Sequence, residues 1–195
     1  MIQSVRKLLA AIAVLGMVAC GSDDGDDSSE TTTSVGSVTP TGAASATSTS
    51  LPPFGGSSAP VFTPDSAKPA TLTGVAIGVH EGFERIVFRF SDHVPGIRLQ
   101  PSPGPFAEDG SDKTLTIEGN AFLALRMTAN GHTEAGESTA PKRTNGPKGH
   151  SITEVVRAGD FEGVLSFVIG LEAPQTFRAF QTNDPPRIVI DISSR

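Results

Sequence analysis

Arginines at alternating positions are the residues of this chain best placed to do chemistry. Arg85 and Arg89 flank Val87, and Arg187 stands two and four residues before Val189 and Asp191. In extended backbone, alternate side chains share a face, so each pattern lines up guanidinium groups on a common surface. The planar, permanently charged fork binds carboxylates and phosphates through paired hydrogen bonds. Two outcomes are open. If the strands carrying these residues are neighbours, an arginine pairs with Asp191 across strands, a contact contributing only about 0–1 kcal/mol when exposed. Alternatively, Arg85, Arg89 and Arg187 line a face that grips carboxylate or phosphate groups of an anionic ligand. A second cationic group, Lys142, Arg143 and Lys148, lies in a Gly-rich stretch ending at His150. It is either a solvated loop or an electrostatic contact for anionic polymer or lipid head groups.

Residues for catalysis do not assemble. A hydrolase needs a nucleophile beside a base, or a metal cluster. His80, His93, His132 and His150 are scattered, without a metal-binding His-Glu-x-x-His spacing. No Gly-x-Ser-x-Gly elbow and no phosphate-cradling glycine loop occur. Glu134 and Glu137 fall in a stretch without periodic pattern, where geometry is held too loosely for paired-carboxylate catalysis. The expectation is a non-enzyme with no metal and no cofactor. From Pro69 onward the chain carries 15 acidic and 12 basic residues. It therefore lacks the Lys/Arg excess that phosphate neutralisation requires of a nucleic-acid binder. The absence of Trp and Tyr weighs against a lectin that stacks on sugar rings.

The N-terminus reads as an address label. Arg6 and Lys7 precede the apolar run Leu8–Val18, which is shorter than the roughly 20 residues a membrane-spanning helix needs. Residues 1–19 therefore read as a signal peptide. Met17-Val18-Ala19-Cys20 resembles the bacterial lipobox, with Met17 where Leu is usual. That resemblance implies a diacylglyceryl group on the Cys20 sulfur and cleavage just before it. Cys20 is the chain's sole cysteine, so no intrachain disulfide competes for it. Residues 20–70 are rich in Ser, Thr, Gly, Asp and Pro, with too little apolar surface to offset ordering entropy. They are predicted to be a disordered tether of about 50 residues with a mean reach of roughly 35–40 Å.

Residues 71–195 must supply the scaffold, and their period-2 patterns predict strands. The clearest are Thr73–Val79, Phe83–Phe90, Ala121–Met127, Gly163–Leu171 and Arg187–Ile192. Shorter candidates are Ile97–Gln100, Thr114–Ile117, Ile152–Arg157 and Phe177–Gln181. Turn signals separate them, Ala158-Gly159-Asp160 among them, and a short helical turn is allowed near Asp160–Gly163. About eight or nine short strands with polar outer faces predict an all-β domain, an antiparallel β-sandwich or open barrel. Thr128–Ser151 shows no period and reads as a long loop, of the kind that is often functional or mobile.

The opening Gly78-Val79-His80-Glu81-Gly82-Phe83-Glu84-Arg85-Ile86-Val87-Phe88 and the closing Pro186-Arg187-Ile188-Val189-Ile190-Asp191 resemble the AMIN-like domain of bacterial envelope lipoproteins. The resemblance spans essentially Leu72–Ser194. It implies a β-sandwich acting as a targeting or binding module, since the related AMIN domains sit on cell-wall amidases and secretins and are thought to bind peptidoglycan or septal components. The combined expectation is a non-enzymatic, lipid-anchored module on the extracytoplasmic face of a membrane, docking peptidoglycan or another wall component. The alternative is an adaptor that joins an envelope complex through an exposed sheet edge.

Overall fold

A computed structural model of the chain describes residues 51–54, 61–62 and 68–194. The expected signal peptide, Cys20 and most of the expected tether lie outside the described residues. All regular structure among the described residues is β. In chain order the strands are β1 Val61–Phe62, β2 Ala70–His80, β3 Phe83–Phe90, β4 Ile97–Pro101, β5 Phe106–Ala107 and β6 Thr114–Leu115. They continue with β7 Ala121–Asn130, β8 Arg143–Asn145, β9 Ile152–Phe161, β10 Val164–Leu171, β11 Phe177–Asn183 and β12 Pro186–Ser193.

Two layers result. One runs β11-β12-β3-β2, antiparallel throughout. The other runs β4-β7-β10-β9-β8, with β1 added along β4. A two-residue parallel contact joins them, Ala70 opposite Ala129 and Thr71 opposite Asn130. The sandwich is therefore stitched along one side without closing into a barrel. Alternation explains the layering. Ile86, Phe88 and Phe90 of β3 and Ile188, Ile190 and Ile192 of β12 turn inward and are buried. They meet Leu123, Leu125 and Met127 of β7 and Leu165, Phe167, Ile169 and Leu171 of β10. The Phe88 and Phe167 rings cross this core with centroids 5.3 Å apart.

Three expectations need correction. Gly159 marks a bulge inside β9 rather than a turn: the register jumps between Ser166–Gly159 and Phe167–Arg157. A side chain at Gly159 would fall on the Asp109 carboxylate, and the Asp109 amide bonds the Ala158 carbonyl at 2.7 Å. Glycine here admits a close neighbour. The strand consequently runs to Phe161 and turns tightly at Glu162 and Gly163, both at positive φ, so no helical turn forms there. Finally, 128–151 is structured. Glu84 is buried and accepts the Ser151 and Ile152 amides at 2.6 and 2.9 Å. Asp160 accepts the Gly131 amide at 3.0 Å and sits 3.0 Å from His132 Nδ1. Buried Glu154 pairs with Arg143 at the start of β8. Carboxylates pin this segment where apolar residues are lacking.

Ala70 is fully buried in β2, β1 pairs with β4, and residues 51–54 contact the β11-β12-β3 face.

Candidate functional site

The outward face of β11-β12-β3-β2 is built by register alone. Thr182, Arg187, Arg89 and Gly74 form one cross-strand row; Phe180, Val189, Val87 and Ala76 the next; Arg178, Asp191, Arg85 and Gly78 a third. Phe83 and His80 follow at the end of β3 and β2, their rings stacked at 4.8 Å. Thus four arginines and one carboxylate share a sheet face. Gly74, Ala76 and Gly78 of β2 lie beside them, and Arg89 Nη1 comes within 3.7 Å of where a Gly74 Cβ would be.

The three arginines singled out from sequence share this face but not one environment. Arg85 is committed to Asp191, donating from Nε at 2.7 Å and from Nη2 at 2.9 Å. Asp191 is fully buried and also accepts from Arg178 Nε at 2.7 Å. Burial by itself would raise the Asp191 pKa, but hydrogen bonds from Arg85 and Arg178 outweigh it and hold the group below the usual carboxylate range. The same hydrogen bond raises Arg85 above its ordinary value. Arg178 was not foreseen as a site residue, although Arg178 and Phe180 alternate in β11 and signal a shared face. Arg85 lies over the Phe83 and Phe180 rings at 5.1 and 5.4 Å, which makes a mixed arginine–aromatic cluster.

Arg89 and Arg187 differ. They stand directly opposite across β3 and β12, and neither forms an ion pair among the described residues. Arg187 Nε is buried without a hydrogen-bond partner. Like charges directly opposite in a sheet are destabilising, and this end of the face carries positive charge without an acidic partner among the described residues.

The second cationic group does not join this surface. Arg143 opens β8 at the far edge of the other layer, paired with Glu154 and donating to the Thr116 carbonyl at 3.0 Å. It is a built-in strand residue and not a free loop charge. The Lys142 carbonyl accepts the Arg157 amide at 2.9 Å. Lys148 lines a cavity of about 330 Å³ with Asn145, His150 and Glu172. Two of the histidines stand apart: His93 bonds Asp92 and the Lys68 carbonyl, while His132 bonds Asp160. No group of three or more His, Cys, Asp or Glu able to hold a metal occurs among the described residues. A cavity of about 610 Å³ at one end of the domain is lined by His80, Glu84, His150 and Glu172. Its buried carboxylate accepts one backbone amide on each oxygen, and His150 Nδ1 lies 3.8 Å from Oε1.

No curated protein and no solved structure matches the chain. A family model, the AMIN-like domain, matches residues 70–194, which spans every strand from β2 to β12. By that match, over well more than half of its length, the chain belongs to the AMIN-like domain family.

Proposed function

We propose that this chain is a non-enzymatic binding module of the bacterial cell envelope whose Arg89–Arg187 surface grips carboxylate or phosphate groups of peptidoglycan or another wall component. Acylated Cys20 would hold it on the extracytoplasmic face of a membrane. Membership in the AMIN-like family supports the envelope location. The observation that carries the binding reading is the pair of facing guanidinium groups without an acidic partner among the described residues, one with a buried and unsatisfied Nε. A buried donor left without a partner costs roughly 1–3 kcal/mol. An oxyanion seated between the accessible edges of the two guanidinium groups would offset their mutual repulsion.

The test is co-sedimentation of the full chain with purified peptidoglycan at low and high salt. The reading expects retention at low salt, release as salt screens the contact, and no retention for the Arg89→Glu/Arg187→Glu variant. Failure of the unaltered chain to sediment at low salt removes direct wall binding. Mass spectrometry of the mature N-terminus tests the anchor, with a diacylglyceryl increment on Cys20 as the expected result.

A second reading rests on β11. It pairs only with β12 among the described residues, leaving an edge along Phe177–Asn183 to which an envelope protein could add a strand. Crosslinking in cells that captures one dominant protein partner through β11 favours this adaptor role.

A further inference from the structure

The other end of the arginine face is covered by the chain itself. Leu51-Pro52-Pro53-Phe54 stands well before β2 in sequence, yet it lies on β11 and β3. The Pro52 carbonyl accepts from Arg178 Nη1 at 3.3 Å. The Arg178 guanidinium sits 4.4 Å over the Phe54 ring, and the Phe54 and Phe83 centroids are 6.4 Å apart. Arg178 also lies 5.4 Å over Phe83. Phe54 is the sole aromatic residue between Cys20 and Val61, and it is half-buried.

We infer that the Phe83–Arg85–Arg178 cluster is a docking site for a proline-flanked aromatic segment, and that Leu51–Phe54 is its resident occupant, bound in cis. The chemistry of both sides fits. Two consecutive prolines hold the segment extended, with carbonyls free and little ordering entropy to lose. On the receptor side, Asp191 takes the Nε of Arg178 at 2.7 Å and fixes the guanidinium plane. The flat face and the Nη1 edge are left for a ring and a carbonyl. Arg178 is therefore prepositioned, and an arginine plane over an aromatic ring is worth more as it loses water. The cluster lies two rows from the Arg89–Arg187 pair, about 13 Å along the strands, so docking leaves the anion-binding end open.

The chain has no Trp or Tyr, so Phe54→Trp in the full chain installs a unique fluorophore at the contact. The expected result is blue-shifted emission with weak acrylamide quenching in the folded protein, unchanged on dilution. Adding Arg178→Lys keeps a cation for Asp191 but removes the stacking plane. It should lower the docked-to-undocked ratio about five- to thirty-fold, seen as a red shift and stronger quenching while far-UV circular dichroism stays the same. Phe83→Leu in the same background should act likewise. Excess synthetic Ser-Leu-Pro-Pro-Phe-Gly peptide should displace the segment and reproduce the red shift. Solvent-like emission in the folded Phe54→Trp chain overturns the docking site. Emission that depends on protein concentration overturns the cis assignment in favour of a second copy. No wall material enters these measurements, so they succeed or fail independently of anion binding.

Discussion

Replacing Asp191 with asparagine tests the electrostatic centre of the sheet face. The amide keeps the shape of the side chain but removes the charge, and it offers one acceptor oxygen where the carboxylate accepts three hydrogen bonds. Its nitrogen would face guanidinium donors. Asp191 is fully buried, whereas the Arg85 and Arg178 side chains remain 25% and 12% exposed. Breaking an ion pair around a buried partner typically costs about 3–5 kcal/mol, and partial hydration of the arginines places the expectation near the lower end. The loss should also depend on pH in a defined direction. The folded state holds the Asp191 pKa below its ordinary value: burial opposes this, and the bonds from Arg85 and Arg178 outweigh it. Its stabilising contribution is thus complete above the unfolded value of about 3.9 and is lost as pH falls through the lower folded value. The Asp191→Asn variant has no such titration, so the gap between the two proteins should narrow in acid. Urea unfolding followed by far-UV circular dichroism is the suitable assay, because the chain has neither Trp nor Tyr to report by fluorescence. A loss at pH 7 no larger than roughly 1 kcal/mol, the size of an exposed pair, would refute the reasoning. So would a gap of equal size at about pH 7 and about pH 2.

Glu84→Ala strips the buried acceptor from the Ser151 and Ile152 amides and should cost about 3–5 kcal/mol, from two charge-assisted bonds lost and two donors stranded. Hydrogen exchange should accelerate first at those two amides; uniform acceleration across the domain would argue against local pinning. Gly159→Ala drives a methyl group into the Asp109 carboxylate and should cost about 1–3 kcal/mol by overpacking. Adding Asp109→Ala should recover part of that loss, and strictly additive losses in the double variant would contradict the contact.

Much of the fold is legible because its long strands obey alternation. Phe83–Phe90 has the bounds its pattern suggests, and Ile86, Phe88 and Phe90 are inward as the period requires. Strands of two or three residues, β1, β5, β6 and β8, are too short for a period to mark their bounds; Thr114–Ile117 shrinks to Thr114–Leu115. The segment 128–151 misleads for a different reason. It is held by Glu84, Glu154 and Asp160, and hydrophobic periodicity carries no information about carboxylates bonding backbone amides. Gly159 reads as a turn because a lone glycine signals turn and bulge equally. At the site, the Arg85–Asp191 pair follows from strand neighbours with alternating charges. Arg178 does not, since its contact depends on β11 lying beside β12 in one register. The isolation of Arg89 and Arg187 is equally invisible until that register is known. Each could have found a carboxylate opposite.

Arg89→Glu brings the account to its most direct measurement, because it separates binding from folding in one protein. The substitution places a carboxylate directly opposite Arg187 and should leave stability unchanged or raise it by about 0.2–1 kcal/mol. Peptidoglycan retention at low salt should disappear in the same preparation. A variant that binds like the parent, or one that stops binding only because it unfolds, would contradict the claim that this unpaired arginine face is the gripping surface.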